Sequence, residues 1–134
     1  MWSIRKLNYG DQIRVNRGFY YHHGIYEDDN HVYQYAAKEG GEVSPDNALI
    51  IVTDIDTFLK GGVAEARDYT NFELEKLKSK DEIVNKAKSL LGTGLGEYNL
   101  ITNNCEHFSN LCAFGVKEST QVQDVLMMLF GGRR

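Results

Sequence analysis

The segment DQIRVNRGFYYHHGIYEDDNHVYQYA constrains the fold most, because it is rich in β-branched and aromatic residues and partly alternates between apolar and polar positions. Turn-forming residues interrupt it at Asn16–Gly18 and again at Asp28–Asn30. We therefore predict three consecutive antiparallel strands, near Asp11–Val15, near Tyr21–Glu27 and from His31 onward. A meander of this kind needs a further layer to cover its apolar face.

The remainder of the chain supplies that layer and extends the sheet. A short apolar run at Ala48–Thr53 and the segment Val63–Tyr69 favour strands, and DIDTFLKGG favours one or two helical turns between them. Ser79 and Glu82 form the pattern of a capping box, which predicts a helix to about Leu91. The sequence thus predicts an α+β fold in which an antiparallel β-sheet packs against helices.

Length and charge limit the classes of function. The 134 residues are typical of one domain, and 15 basic against 19 acidic residues give a net charge of -4. This balance disfavours a general nucleic-acid binder, which would carry a basic face. The N-terminus lacks the apolar core of a signal peptide, and two cysteines seven positions apart form no disulfide framework, so we expect a cytoplasmic protein. The tail at about 119–134 is interpreted either as a last core-packing helix or as a membrane-surface or partner-binding segment.

Cys105 lies where a helix is expected to start. Asn103 and Asn104 are good N-cap residues, the spacing after them predicts a helix from Cys105 to Phe114, and Gly115 is a suitable terminator. Unpaired backbone N–H groups at a helix start favour a thiolate and can hold an oxyanion. The alternative is that Cys105 is a small apolar residue packed against the sheet, since free cysteine is often buried.

A nucleophilic Cys105 needs a histidine from elsewhere, because side chains at positions i and i+2 of a helix, such as those of Cys105 and His107, do not face each other. His22 and His23 are adjacent on a predicted strand and point to opposite faces. Gln34 lies across the hairpin, where its side chain could accept a hydrogen bond from an imidazole. Spacing alone does not choose between the two histidines, and a polar strand residue remains the simpler interpretation of Gln34.

The combination of GDQIRVNRGFYYHHGIY and, about eighty residues later, NNCEHF resembles the lecithin:retinol acyltransferase-like family of permuted NlpC-type and papain-like cysteine enzymes, small bacterial-type members in particular. The resemblance covers about 10–115 of a single domain 1–134. It implies a circularly permuted papain-like fold, with Cys105 as the nucleophile and His22, three positions before Ile25, as the base.

The resemblance also places a third polar residue at Gln34, where the acyltransferases commonly have histidine, and this departure concerns the tuning of the base. Tyr20 lies where some members place a tyrosine that supports the oxyanion; a packed strand aromatic is the alternative. The implied chemistry is thiol-dependent acyl transfer or phospholipase A-type hydrolysis of a lipid or acyl ester, without a metal or other cofactor. The implied setting is cytoplasmic, with peripheral contact to membranes. An NlpC-type peptidase or amidase and a catalytically silent binding domain of the same fold are the rival interpretations.

Overall fold

The computed structural model describes residues 1–37, 48–94 and 105–116, within which the chain forms six strands and four helices. In chain order these are β1 (Trp2–Ser3), β2 (Asp11–Asn16), β3 (Tyr21–Asp28), β4 (His31–Ala37), β5 (Ala48–Thr53), α1 (Ile55–Leu59), β6 (Ala64–Arg67), α2 (Asn71–Lys76), α3 (Lys80–Ser89) and α4 (Cys105–Phe114). The strands form one antiparallel sheet with the order β1–β6–β2–β3–β4–β5. The predicted α+β class and the meander are confirmed.

Two elements were not predicted, because neither shows a periodic apolar pattern, although the second of them begins at a Thr-x-x-Glu capping-box signature. Strand β1 has only two residues, which is too short to alternate, and it is held by pairing of Trp2 with Arg67. Helix α2 carries a full capping box between Thr70 and Glu73 but has no buried residue, so it shows no apolar stripe. The capping box of α3, between Ser79 and Glu82, is present as predicted.

The sheet has a core on each face. One core packs the sheet against α3 and α4 and includes Ile25, Tyr33 and Phe108. The other packs it against α1 and includes Val15, Val32 and Phe58. Successive residues of β3 therefore contribute to different cores, which fixes the faces on which His22 and His23 lie.

The sheet forks where β3 and β4 separate. Their pairing ends at Gly24 with Gln34, whereas β4 continues to pair with β5 as far as Ala37 with Ala48. The first turn of α4 packs beside β3 in this fork, and Cys105 is buried there. The fork thus brings the start of a helix to the strand that carries the adjacent histidines.

Some predicted features lie outside the described residues, namely the caps Asn103 and Asn104 and the tail at 119–134. Within the described ranges, none of the helices has the length and apolar character that crossing a bilayer requires.

Candidate active site

A chain of hydrogen bonds joins His22 to the end of β5. His22 Nε2 lies 2.8 Å from Gln34 Oε1, and Gln34 Nε2 donates to Thr53 Oγ1 at 2.7 Å. The Thr53 hydroxyl in turn donates to the backbone oxygen of Asp54 at 3.0 Å. Because that hydroxyl proton is committed to Asp54, Thr53 Oγ1 accepts from Gln34, and the amide of Gln34 must present its oxygen to the imidazole.

This chain selects one tautomer of His22. The Gln34 oxygen is an acceptor only, so His22 Nε2 carries the proton and donates it, and Nδ1 keeps its lone pair. A histidine held in this way can accept a proton at Nδ1. The arrangement therefore fixes the tautomer that a general base acting through Nδ1 would need, although Gln34 contributes an amide rather than a charge.

His22 is enclosed by apolar packing. Its ring lies 5.1 Å from that of Phe58, centroid to centroid, on the α1 side of the sheet. Gly24 permits this approach, since a Cβ at that position would lie 2.6 Å from Phe58 Cε1. Burial lowers the pKa of His22 to about 3, against the opposing effect of the Gln34 hydrogen bond. At neutral pH the imidazole is therefore uncharged.

Cys105 occupies the first position of α4, and its Sγ lies 3.6 Å from the backbone oxygen of Tyr21, the residue preceding His22. Burial raises the pKa of the Cys105 thiol to about 11, although hydrogen bonds from the backbone N–H groups of His23, Glu106 and Cys105 itself act to lower it. The helix start thus favours the thiolate as expected, but desolvation outweighs it. Cys105 rests as a neutral thiol.

His23 lies on the opposite face of β3, the face that packs against α4. Its ring makes an edge contact with Trp2 at 5.5 Å between centroids. Burial lowers the pKa of His23 to about 4, and the carboxylate of Glu106 opposes this shift. His23 is therefore placed near the helix that carries Cys105, but its electrostatic partner there is Glu106.

The predicted site residues fall into two groups. His22 and Gln34 are in direct contact, and Cys105 adjoins the backbone beside His22, yet no hydrogen bond between the Cys105 thiol and the His22 ring is recorded among the described residues. Tyr20 is half-exposed in the β2–β3 turn, where its backbone oxygen accepts from Arg17. Cys112 is buried in the core, and burial raises its pKa to about 12.

Sequence reasoning did not identify Thr53 or Phe58 as parts of the site. In the β4–β5 register Gln34 pairs with Ile51, so these two side chains lie on one face of the sheet. Thr53 lies two positions beyond Ile51 and therefore shares that face. That register is the only signal that could have found it. In the described part of the chain there is no cluster of three or more histidine, cysteine or acidic residues that could hold a metal ion.

Comparison with known proteins places the chain in a family. A protein-family model described as "Lecithin retinol acyltransferase" matches residues 5–118. The chain is 32% identical to human phospholipase A and acyltransferase 3 over 126 residues, which cover 88% of this chain and 77% of that protein. It is 30% identical to rat lecithin retinol acyltransferase over 150 residues, covering 91% of this chain and 61% of that protein. Human phospholipase A and acyltransferase 2 is 32% identical over 121 residues, covering 84% and 74%.

Proposed function

Because the chain belongs to the lecithin retinol acyltransferase family, we propose that it is an acyltransferase and phospholipase A-type hydrolase that acts on lipid acyl esters through a thioester on Cys105. The relatives are named phospholipases A, acyltransferases and lecithin retinol acyltransferase. The observation that carries the proposed mechanism is the hydrogen bond from His22 Nε2 to Gln34, because it leaves Nδ1 free to accept a proton on the residue next to Tyr21, whose backbone oxygen contacts Cys105.

The proposed reaction has two steps with balanced proton transfers. The Cys105 thiol gives its proton to His22 Nδ1, and the sulfur attacks the ester carbonyl, whose oxygen becomes negative. Collapse of this intermediate forms the thioester, and the departing alkoxide takes the proton from His22. An amine, an alcohol or water then attacks the thioester, with His22 again accepting and returning the proton.

This mechanism requires a movement of the Cys105 side chain. Its Sγ rests near the Tyr21 backbone oxygen and must turn toward His22 before the proton can pass. The backbone N–H of Cys105, at the start of α4, is the proposed oxyanion donor, with the Tyr20 hydroxyl as support. The Cys105 thiol and the His22 imidazole are both neutral at rest. His22 therefore acts as a base at the moment of attack and does not form a permanent ion pair with Cys105.

The order of elements supports a permuted papain-like arrangement. In papain-like enzymes the helix that presents cysteine comes before the strand that presents histidine. Here β3, which carries His22, precedes α4, which carries Cys105. We therefore propose that the fold is a circular permutation of that arrangement, spread over a single domain from 1 to 134.

The proposed function is tested by incubating the protein with phosphatidylcholine, with and without a primary amine, and identifying the products. We expect free fatty acid and lysophospholipid without the amine, N-acylated amine with it, and none of these from Cys105→Ala. Cleavage of peptide substrates but not of phosphatidylcholine would favour the NlpC-type alternative. A protein inactive on both would be the silent domain.

A further inference from the structure

The turn between β2 and β3 presents an apolar surface at the end of the sheet that holds His22. Phe19, at the tip of this turn, is fully exposed, and Tyr20 beside it is half-exposed. Val63, 62% exposed, lies at the same end, because β6 begins beside it with Ala64 paired to Val15. We call Phe19, Tyr20 and Val63 the tip surface.

Positive charge accompanies the tip surface. Arg17 lies within the turn and donates to the backbone oxygen of Phe58, and Lys60 ends α1 at the same end of the sheet. Both cations act to lower the pKa of His22, which places them within electrostatic reach of the site. The nearby carboxylate of Glu65 is paired with Arg14 at 2.6 Å.

The opposite end of the sheet carries several carboxylates, of which Glu27 is paired with Lys88 at 3.6 Å and Asp28 with His31 at 2.8 Å. Glu27, Asp28 and Asp29 lie at the β3–β4 turn, and Asp54 precedes α1 beside them. The eight residues of β3 separate the two ends by about 25 Å. A surface that attracts aromatic side chains and cations would therefore orient the protein with the tip surface toward it and the acidic turn away.

We propose that the tip surface docks on the phospholipid bilayer and delivers lipid to Cys105, an inference that rests on the proposed function. Aromatic residues flanked by cations are the side chains that favour the membrane interface, and cations gain further from anionic lipid. The turn leads directly into Tyr21, whose backbone oxygen contacts Cys105. Docking of the tip would thus bring the end of β3 that contacts Cys105 next to the bilayer.

Brominated phosphatidylcholine vesicles, with and without phosphatidylglycerol, test the depth of the tip directly. Phe19→Trp should be quenched by the brominated lipid, and more strongly when phosphatidylglycerol is present. Phe72→Trp is the matched control, because Phe72 is a 66% exposed phenylalanine on α2, which follows the other end of β6. Quenching at 19 but not at 72 supports the proposal, and unquenched Phe19→Trp overturns it.

A kinetic comparison separates docking from catalysis. Rates are measured on vesicle phosphatidylcholine and on a short-chain phosphatidylcholine kept monomeric, and their ratio is compared among variants. Phe19→Ser should lower the vesicle-to-monomer ratio by roughly tenfold, as loss of one interfacial aromatic side chain implies, and Phe72→Ser should leave it unchanged. Equal ratios for both variants overturn the docking proposal. If Phe19→Trp were quenched but the protein hydrolysed neither phosphatidylcholine, the proposed function would be refuted while the docking proposal would still hold.

Discussion

Gln34 turns its side-chain oxygen to His22 Nε2 because its side-chain nitrogen is occupied by Thr53. The resemblance implies a histidine where this chain has Gln34, and the hydrogen bond to His22 lets an amide hold the imidazole ring instead. The orienting group here is neutral, so it fixes the ring without adding charge to the site.

Substitution of Gln34 tests its influence on the base. Gln34→Ala should lower kcat by on the order of a hundredfold through misorientation of His22, whereas Gln34→His should keep much of the activity. Gln34→Glu should raise the pKa of His22, because a carboxylate stabilises the imidazolium. On acidification, the kcat/KM of Gln34→Glu should therefore begin to fall at a higher pH than the kcat/KM of the wild type. The measurement is the pH–rate profile of all four proteins, with circular dichroism as the folding control, and four superimposed profiles would reduce Gln34 to an ordinary strand residue.

Thr53 is expected to act as a positioning residue through Gln34. Thr53→Val keeps the shape but leaves the Gln34 amide without its acceptor, so the amide can rotate and present nitrogen to His22. We expect a lower kcat and, in nitrogen NMR of the imidazole, loss of the single Nε2–H tautomer. Thr53→Ser restores the hydroxyl and should restore both properties. A Thr53→Val protein with the wild-type tautomer and rate would show that Gln34 needs no such support.

The two histidines are separated by their effects on activity. His22→Ala should lower activity by on the order of a hundredfold or more. His23→Ala should be milder because the ring of His23, although it lies on the α4 face of β3, packs against Trp2 and has Glu106 as its charged neighbour. If His23→Ala were the inactive variant while His22→Ala turned over normally, the assignment of the base would be reversed.

The same histidines make stability depend on pH. Burial lowers the pKa of His22 to about 3 and that of His23 to about 4. Below the ordinary histidine pKa, the unfolded chain therefore binds protons at these two positions, whereas the folded protein does not. The free energy of unfolding should be greatest between about pH 6.5 and about pH 8.5, the ordinary pKa values of histidine and cysteine, because the buried thiols lower it at higher pH. On acidification it should fall by on the order of 1 kcal/mol per pH unit for each histidine. Urea titrations at several pH values measure this slope. His23→Asn should reduce it, and a slope unchanged by that variant would contradict the depressed pKa.

Alternation and turn residues were sufficient to predict the strands from Asp11 to His31, and capping residues with helical spacing were sufficient to predict the helix that begins at Cys105. They showed that His22 and His23 face opposite ways, but not which face α4 would cover, because that depends on how distant segments pack. The role of Thr53 depends on a strand register that no local pattern encodes. The burial of Cys105, which reverses the direction of its pKa shift, is a tertiary effect of the same kind.

Alkylation by iodoacetamide compares the two thiols. Because burial raises the pKa of Cys105 to about 11, its labelling should accelerate by about tenfold per pH unit from neutral pH upward, without an early plateau. Cys105 should still react before Cys112, because backbone N–H groups at the start of α4 stabilise its thiolate, whereas burial raises the pKa of Cys112 to about 12. Peptide mapping after timed labelling distinguishes the two sites. Equal and slow labelling of both thiols, or a plateau at neutral pH, would contradict this description.

The most direct test of the proposed mechanism is intact-protein mass spectrometry after acid quenching of a reaction with phosphatidylcholine. The thioester mechanism predicts a mass increase of one acyl chain, located on Cys105 by peptide mapping, removed by hydroxylamine and absent from Cys105→Ala. Cys112→Ala should acquire the same adduct as the wild type. Hydrolysis of phosphatidylcholine by Cys105→Ala at the wild-type rate, with no acylated protein in either sample, would contradict it.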